Sequence, residues 1–449
     1  MNRLSVVDEI FLRSHRGMGT PIALQGLWRT AEPVHPALLW HIHRDLRTGP
    51  LGRRVVRPRI PGARPRWQRN ENAYPFTLTT APIPAAAVLD WADRQGEDLD
   101  PELGPGWRLS AARIDDGGCL VALTCSHALA DGRALTLAVD NALTGTPLAT
   151  PLAAHSDWTD ARRMWATVLG GTARALRQGI PPRPTPAPTR KAVRGSVTSE
   201  MSAHAAVFRP NPIAAPRTEP APTASIESVA ATPASAVTHS AVVEIPVREW
   251  NRVAVATGGT ANSLFVQLIA NMLWASGFPG TTIAASLPVD TRDEPRVDND
   301  MSMTEIAITR ADTPATLRHK ARTAYEHRMT SPGGIPEELL QVIPDRLAYR
   351  LAKGAGERDI LCSNIGNLPD SLLAIGPHPC TGVAARAIHP GLRSEALPRT
   401  RLAGYFTRIA DSYTVSLVSL DPDAIPAATT LYELATTALA EFGLTGRNW

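Results

Sequence analysis

The sequence predicts a mixed α/β (α+β) protein of two lobes. Strand-like and helix-like segments alternate without strict βαβ order, which argues against a doubly wound parallel sheet. Two ordered stretches flank residues 181–239, which are rich in Pro, Ala, Thr and Ser and show little periodicity. The 449 residues are 43% hydrophobic, enough to bury a core in each lobe. The expected division is a first lobe at 1–180, a flexible connection at 181–239 and a second lobe at 240–449.

Along the first lobe, Pro36 to Leu51 is a helix candidate, with Leu38, Leu39, Ile42 and Leu46 at helical spacing. Arg54 to Arg59 reads as a basic strand, and Ala85 to Arg94 as a helix. Trp107 to Ile114 and Gly118 to Ser126 form a strand pair around the turn signal Asp115-Asp116-Gly117. Ala134 to Leu143 is helix-like. Asp157 to Gln178 is an amphipathic helix with Trp158, Trp165, Val168 and Leu169 on one side.

Order returns at Ser240. Ala241–Pro246, Thr281–Val289, Ser302–Thr309 and Asp359–Ser363 read as strands. Leu402–Ile409 and Tyr413–Leu420 read as a hairpin around Asp411. Helices are expected over Asn262–Ser276, from Thr313-Pro314 onward, over Pro336–Lys353 and over Pro426–Phe442. Pro314 sits early in its helix, where its missing N–H costs nothing.

The charge is mild: 46 basic against 42 acidic residues, net +4. It requires no nucleic-acid partner, and no nucleic-acid-binding motif stands out. Nine arginines fall between Arg44 and Arg69. They read as a solvated face, with a phosphate-binding or anionic-membrane patch as the alternative. The four cysteines, Cys119, Cys125, Cys362 and Cys380, match no zinc spacing and no disulfide framework, so no metal is expected. No signal-length or membrane-spanning apolar run is present, which predicts a cytoplasmic protein with peripheral membrane contact as an option. There is no Gly-rich phosphate loop and no Gly-x-Ser-x-Gly elbow.

The stretch that carries chemistry is Cys125-Ser126-His127-Ala128-Leu129-Ala130-Asp131-Gly132. A buried strand leads into it and a helix leads out. His127 therefore stands at a rigid strand end, where imidazole can take a proton near neutral pH. Cys125 lies inside the apolar run and reads as a small hydrophobe. His155, His204, His239 and His389 read as isolated, solvated loop residues.

This stretch resembles the HHxxxDG motif of the acyltransferase superfamily that includes chloramphenicol acetyltransferase, peptide-synthetase condensation domains, polyketide-associated acyltransferases and wax ester synthases. Ser126 stands where the first histidine would be. Further stretches resemble the same superfamily. Leu4-Ser5-Val6-Val7-Asp8-Glu9-Ile10-Phe11 matches its Leu-Ser-x-x-Asp-x-x-Phe opening. Pro65-Arg66-Trp67 matches a strand-ending Pro-x-Trp. Ala261-Asn262-Ser263 matches a Val-Asn-Asp helix start, with Ser263 in place of the acid. Pro288-Val289-Asp290-Thr291-Arg292, followed by Asn299, and Ser363-Asn364-Ile365-Gly366 are similar to two more of its segments. The plant family's DFGWG signature is absent.

The resemblance implies two chloramphenicol-acetyltransferase-like lobes forming a V-shaped cleft. It implies that His127 is the catalytic base, that Asp131, Gly132 and Arg292 are structural, and that Asp131 pairs with a buried Arg292. Ser126, Asn262 and Asn364 are candidate substrate or oxyanion contacts. On local grounds alone, Asn262 could simply cap its helix and Asn364 simply end a strand. The implied reaction is acyl transfer from acyl-CoA or an acyl-phosphopantetheine carrier protein, as substrate and not cofactor, to a hydroxyl acceptor of a lipid or polyketide pathway. Amide formation on an amine acceptor and an inactive binding module are the alternatives.

Overall fold

The computed structural model describes residues 3–146, 148, 156–178, 238–326, 337–352 and 357–449. Its first half comprises α1 (Val6–His15), β1 (Ala23–Thr30), α2 (Pro36–Thr48), β2 (Arg53–Val56), β3 (Arg66–Arg69), β4 (Thr77–Ile83), α3 (Val88–Arg94), β5 (Trp107–Ile114), β6 (Cys119–Ser126), α4 (Gly132–Thr144) and α5 (Asp157–Gln178). The second half comprises β7 (His239–Pro246), α6 (Val247–Ala256), α7 (Ala261–Ala275), β8 (Thr282–Asp290), β9 (Met301–Thr309), α8 (Pro314–Glu326), α9 (Leu339–Val342) and α10 (Asp345–Ala352). It continues with β10 (Ile360–Asn367), β11 (Ala374–Ile375), β12 (His378–Ile388), β13 (Leu402–Ile409), β14 (Ser412–Ser419), α11 (Ala428–Ala440) and β15 (Arg447–Asn448).

Two large sheets organise two lobes. The first runs β11-β12-β1-β6-β5-β4, the second β15-β7-β14-β13-β10-β8-β9. Strands β2 and β3 form a separate arginine-rich ribbon. Strand β6 is buried along its whole length, which explains its unbroken apolar run. Its alternate residues serve two layers. Val121, Leu123 and Cys125 join the main core of the first lobe. Leu120 and Ala122 pack instead with Val88, Leu89 and Trp91 of α3. In the second lobe α7 is apolar on nearly every side and buried with residues of α6, α8 and α11.

The second stretch of chain contributes to both lobes. Strand β12 lies antiparallel beside β1, with Ala23 opposite both Ile388 and Ser126. Residues 374–388 thus sit in the first sheet, although they follow most of the second in sequence. Of the connection 181–239, only residues 238–239 are among the described residues.

Three expectations are corrected. The helix over Pro336–Lys353 is two shorter helices, α9 and α10, separated at Pro344, whose ring cannot continue the first. The basic strand is β2, ending at Val56 ahead of Pro58. Pro65-Arg66-Trp67 opens β3 rather than ending a strand. Among the described residues no single helix is long and apolar enough to cross a membrane.

Candidate active site

His127 follows the last residue of β6, and its backbone N–H donates to Ile22 at 3.4 Å. Its ring is gripped from both lobes. The Phe11 ring stacks on it, with centroids 3.5 Å apart and planes 13° from parallel. Asn299, between β8 and β9, meets Nδ1 through Oδ1 at 3.2 Å. The Asn299 amide cannot be turned the other way. Its Nδ2 donates to Asp8 Oδ1 at 2.9 Å, to the His127 carbonyl at 2.8 Å and to the Ala128 carbonyl at 3.2 Å. Three acceptors on one side fix the donor there, so Oδ1 faces the imidazole. The ring must then carry its proton on Nδ1, which leaves the Nε2 lone pair as the basic site.

Burial lowers the His127 pKa below its ordinary value, opposed by its own backbone, Asp131 and Asn299. The imidazole is therefore neutral at neutral pH. The ring is only partly buried, and Nε2 is not among the sealed, unpartnered polar atoms.

The opening motif now has a physical meaning. Ser5 caps α1, accepting from the Asp8 N–H at 3.0 Å, while Asp8 accepts from the Ser5 N–H at 2.8 Å. This capping box spends one Asp8 oxygen and aims the other at Asn299. One helical turn on, Phe11 reaches the imidazole. Burial raises the Asp8 pKa, with Ser5, Asn299 and Arg53 opposing. Arg53 of β2 donates to the Leu129 carbonyl at 2.5 Å and lies over the Trp67 ring at 4.2 Å. Arg53 belongs to the basic run expected to form a solvated face, and here it is turned onto the histidine loop instead.

Asp131 makes no hydrogen bond to His127 among the described residues. It caps α4, accepting from the Ala134 N–H at 2.9 Å. Its other oxygen accepts from Arg292 Nη2 at 2.5 Å and from the Asp300 N–H at 3.1 Å. Both partners of this ion pair are almost wholly buried. Arg292 also donates to the Asp298 carbonyl at 2.5 Å, to Asp290 at 2.7 Å and to the Arg296 carbonyl at 3.2 Å. Burial raises the Asp131 pKa, while Arg292 and Ala134 pull it back. A Ser-His-Asp triad is thus not what this carboxylate builds. It ties the loop after His127 to the segment joining β8 to β9.

Gly132 starts α4 under Ile365. A Cβ there would meet Ile365 Cγ1 at 3.3 Å. The next residue, Arg133, donates to the Asn367 carbonyl at 3.0 Å. The end of β10 is thereby laid against the helix that leaves the histidine loop.

The remaining candidates stand apart. Ser126 is buried, and its hydroxyl accepts from the Ala128 N–H at 3.4 Å. Asn262 does not cap α7. Thr260 does, with Ser263 closing the box. Asn262 instead donates to Tyr325 Oη at 3.1 Å and accepts from Asn364 at 3.0 Å, while Asn364 accepts from the Gly366 N–H at 3.0 Å. Among the described residues no hydrogen bond joins this chain to His127. Cys125 is wholly buried, and burial pushes its thiol up to about 12. The described residues contain no metal-ligating cluster.

His389 is not a solvated loop residue. Its Nδ1 meets the Pro21 carbonyl at 2.9 Å, and its Nε2 is buried without a partner. Burial lowers its pKa to about 4, with Pro21 opposing and His127 adding to the fall. His155 and His204 lie outside the described residues.

No family model and no curated protein matches the chain. Solved structures do. The first condensation domain of the CDA synthetase aligns with a TM-score of 0.57 at 13% identity, covering 99% of each chain. The wax ester synthase/diacylglycerol acyltransferase from Marinobacter aquaeolei VT8 aligns at 0.55 and 13% identity, covering 98% of each. A mutant starter condensation domain of rhizomide synthetase, in complex with C8-CoA and Leu-SNAC, aligns at 0.52 and 12%, covering 98% of this chain and 93% of that one. Near-complete coverage of both partners extends the likeness to the two-lobed architecture as a whole: the chain has the mixed α/β fold shared by condensation domains and wax ester synthase.

Proposed function

We propose that this protein is an acyltransferase that moves an acyl group from a thioester, acyl-CoA or an acyl-carrier protein, to a hydroxyl acceptor. The carrying observation is the Asn299 contact that leaves His127 Nε2 as the basic nitrogen. In this reading the acceptor O–H lies against Nε2. The imidazole takes its proton as the oxygen attacks the thioester carbonyl. The tetrahedral intermediate collapses, the C–S bond breaks, and the thiolate leaves with the proton from the same nitrogen. General-base help of this kind contributes roughly 10²–10⁴ in rate. Holding both substrates in one site supplies the rest. Ser126 is buried with its hydroxyl on the Ala128 N–H, and no oxyanion role is proposed for it.

The fold is equally that of condensation domains, so amide formation on an amine acceptor is the second reading. Ser126 in place of the first histidine favours a third, a binding module without turnover. The test offers the protein acyl-CoAs of graded length with alcohols or amines and follows both thiol release and product mass. An ester product supports the proposal. An amide product selects the second reading. Tight acyl-CoA binding with no thiol release selects the third.

A further inference from the structure

Helix α5 carries an apolar stripe that faces outward. Its inner face is made by Ala161, Met164 and Val168, all buried. Trp158, Trp165 and Leu169 stand at i, i+7 and i+11, on one line of the helix surface, and are 73%, 41% and 63% exposed. Arg162 falls on the same line and Arg163 further round the outer face, both exposed. Two tryptophans and a leucine at such exposure are costly to leave in water and are not needed by the core.

The unpaired charge along the helix has one sign. The acids of the helix, Asp157 and Asp160, are spent inward. Asp157 pairs with Arg3 at 2.7 Å and accepts from the Arg59 N–H at 3.1 Å. Asp160 is buried and pairs with Arg64 at 2.8 Å. Beyond them, from Ala161 to the end of the helix at Gln178, there are four arginines and no acidic residue. The Arg59 N–H bond to Asp157 and the Arg64–Asp160 pair bolt the connection between β2 and β3 to the first turn of α5. Gly62, at φ +84°, lies directly under the Trp165 indole. The exposed Arg59 is thereby brought to the same surface. Among the described residues Arg59, Arg162 and Arg163 meet no carboxylate.

We infer that this face docks on an anionic phospholipid surface. Trp158, Trp165 and Leu169 enter the interface while Arg59, Arg162 and Arg163 meet lipid phosphates. Indole rings settle at the boundary between acyl chains and headgroups, and each arginine near an anionic leaflet adds to the attraction. The inference does not depend on the reaction proposed above. The occupant follows from charge complementarity: an apolar line flanked by unpaired arginines suits a negatively charged bilayer better than a neutral one.

The test is flotation of the full chain with vesicles of mixed phosphatidylglycerol and phosphatidylcholine, against phosphatidylcholine alone. Two double variants accompany it, Trp158→Ser with Leu169→Ser, and Arg162→Glu with Arg163→Glu. Thermal melting of both should match wild type, because all four side chains are exposed. The wild type should float with the anionic vesicles, lose that binding at high salt, and bind about tenfold more weakly in either variant. Failure to float, equal binding to both vesicle types, or unchanged binding by both variants would overturn the inference. An acidic protein as the true occupant, or a segment of this chain already covering the face, would give the first of these results.

Discussion

Two histidines stand at equivalent places in the first sheet and are treated differently. His127 follows β6 and His389 follows β12, the two strands that flank β1. Ala23 pairs with Ser126 on one side and Ile388 on the other, so the histidines sit one residue further, either side of Ile22. Both rings are held neutral by burial. Both have Nδ1 against an acceptor, Asn299 Oδ1 for one and the Pro21 carbonyl for the other. The difference lies at Nε2. That of His389 is sealed, while that of His127 is not. On the proposed reading, a neutral imidazole with a fixed tautomer is therefore not enough to make a base. His127 adds access, and it adds a clamp built from Asp8, Phe11, Asn299 and the Asp131–Arg292 pair.

The clamp is where the comparison breaks most sharply. Asp131→Ala takes one carboxylate from buried Arg292 and the cap from α4, while Asp290 and Asp298 stay on the guanidinium, and the expected loss is roughly 2–4 kcal/mol of stability. Activity should fall with it because the His127 loop loses its tie. Replacing both Asp131 and Arg292 by apolar residues should restore part of the melting temperature. An Asp131→Ala protein that melts like wild type yet has no turnover would make the carboxylate catalytic.

Asn299→Ala tests the tautomer. It orphans two carbonyls and the Asp8 carboxyl and frees Nδ1, at about 1–3 kcal/mol of stability. Nitrogen chemical shifts of the imidazoles should show His127 leaving the pure Nδ1–H form while His389 keeps it. Equal behaviour of the two rings would mean that Asn299 does not set the proton.

His389 gives the smallest effect. Its unfolded value is near 6.5 and its folded value about 4. The unfolded chain takes the proton first, so this contribution is whole above pH 6.5 and is lost as pH falls toward 4. The full shift amounts to at most about 3 kcal/mol, and partial exposure of the ring reduces it. Melting curves from neutral to acid pH should show a shallower loss in His389→Gln than in wild type. Parallel curves would show that the ring is not the group responsible.

The sequence made some of this legible and hid the rest for definable reasons. The pair β5–β6, the hairpin β13–β14 and helix α5 were readable because a turn signal or a clean helical period marks each. Strands β1 and β12 were not readable. Both are central, and each buries a polar side chain, Gln25 and Arg386, which bond to one another at 2.7 Å. That polar pair spoils the local apolar pattern it completes in three dimensions. His127 was legible from its strand-end setting. Arg292 as partner of Asp131 came only through resemblance, since 161 residues separate them. The roles of Asp8 and Phe11 were invisible, because Asn299 lies 291 residues from Asp8. Asn262 looked like a cap because it opens a helix, yet Thr260 already fills that position.

The claim that most needs testing is that His127 is the base. The measurement is thioester-dependent product formation by His127→Ala beside wild type, at matched folded fraction and with acyl-donor binding measured on both. The account predicts turnover lower by roughly 10²–10⁴ with donor binding and melting temperature nearly unchanged. Turnover within a few-fold of wild type would contradict it.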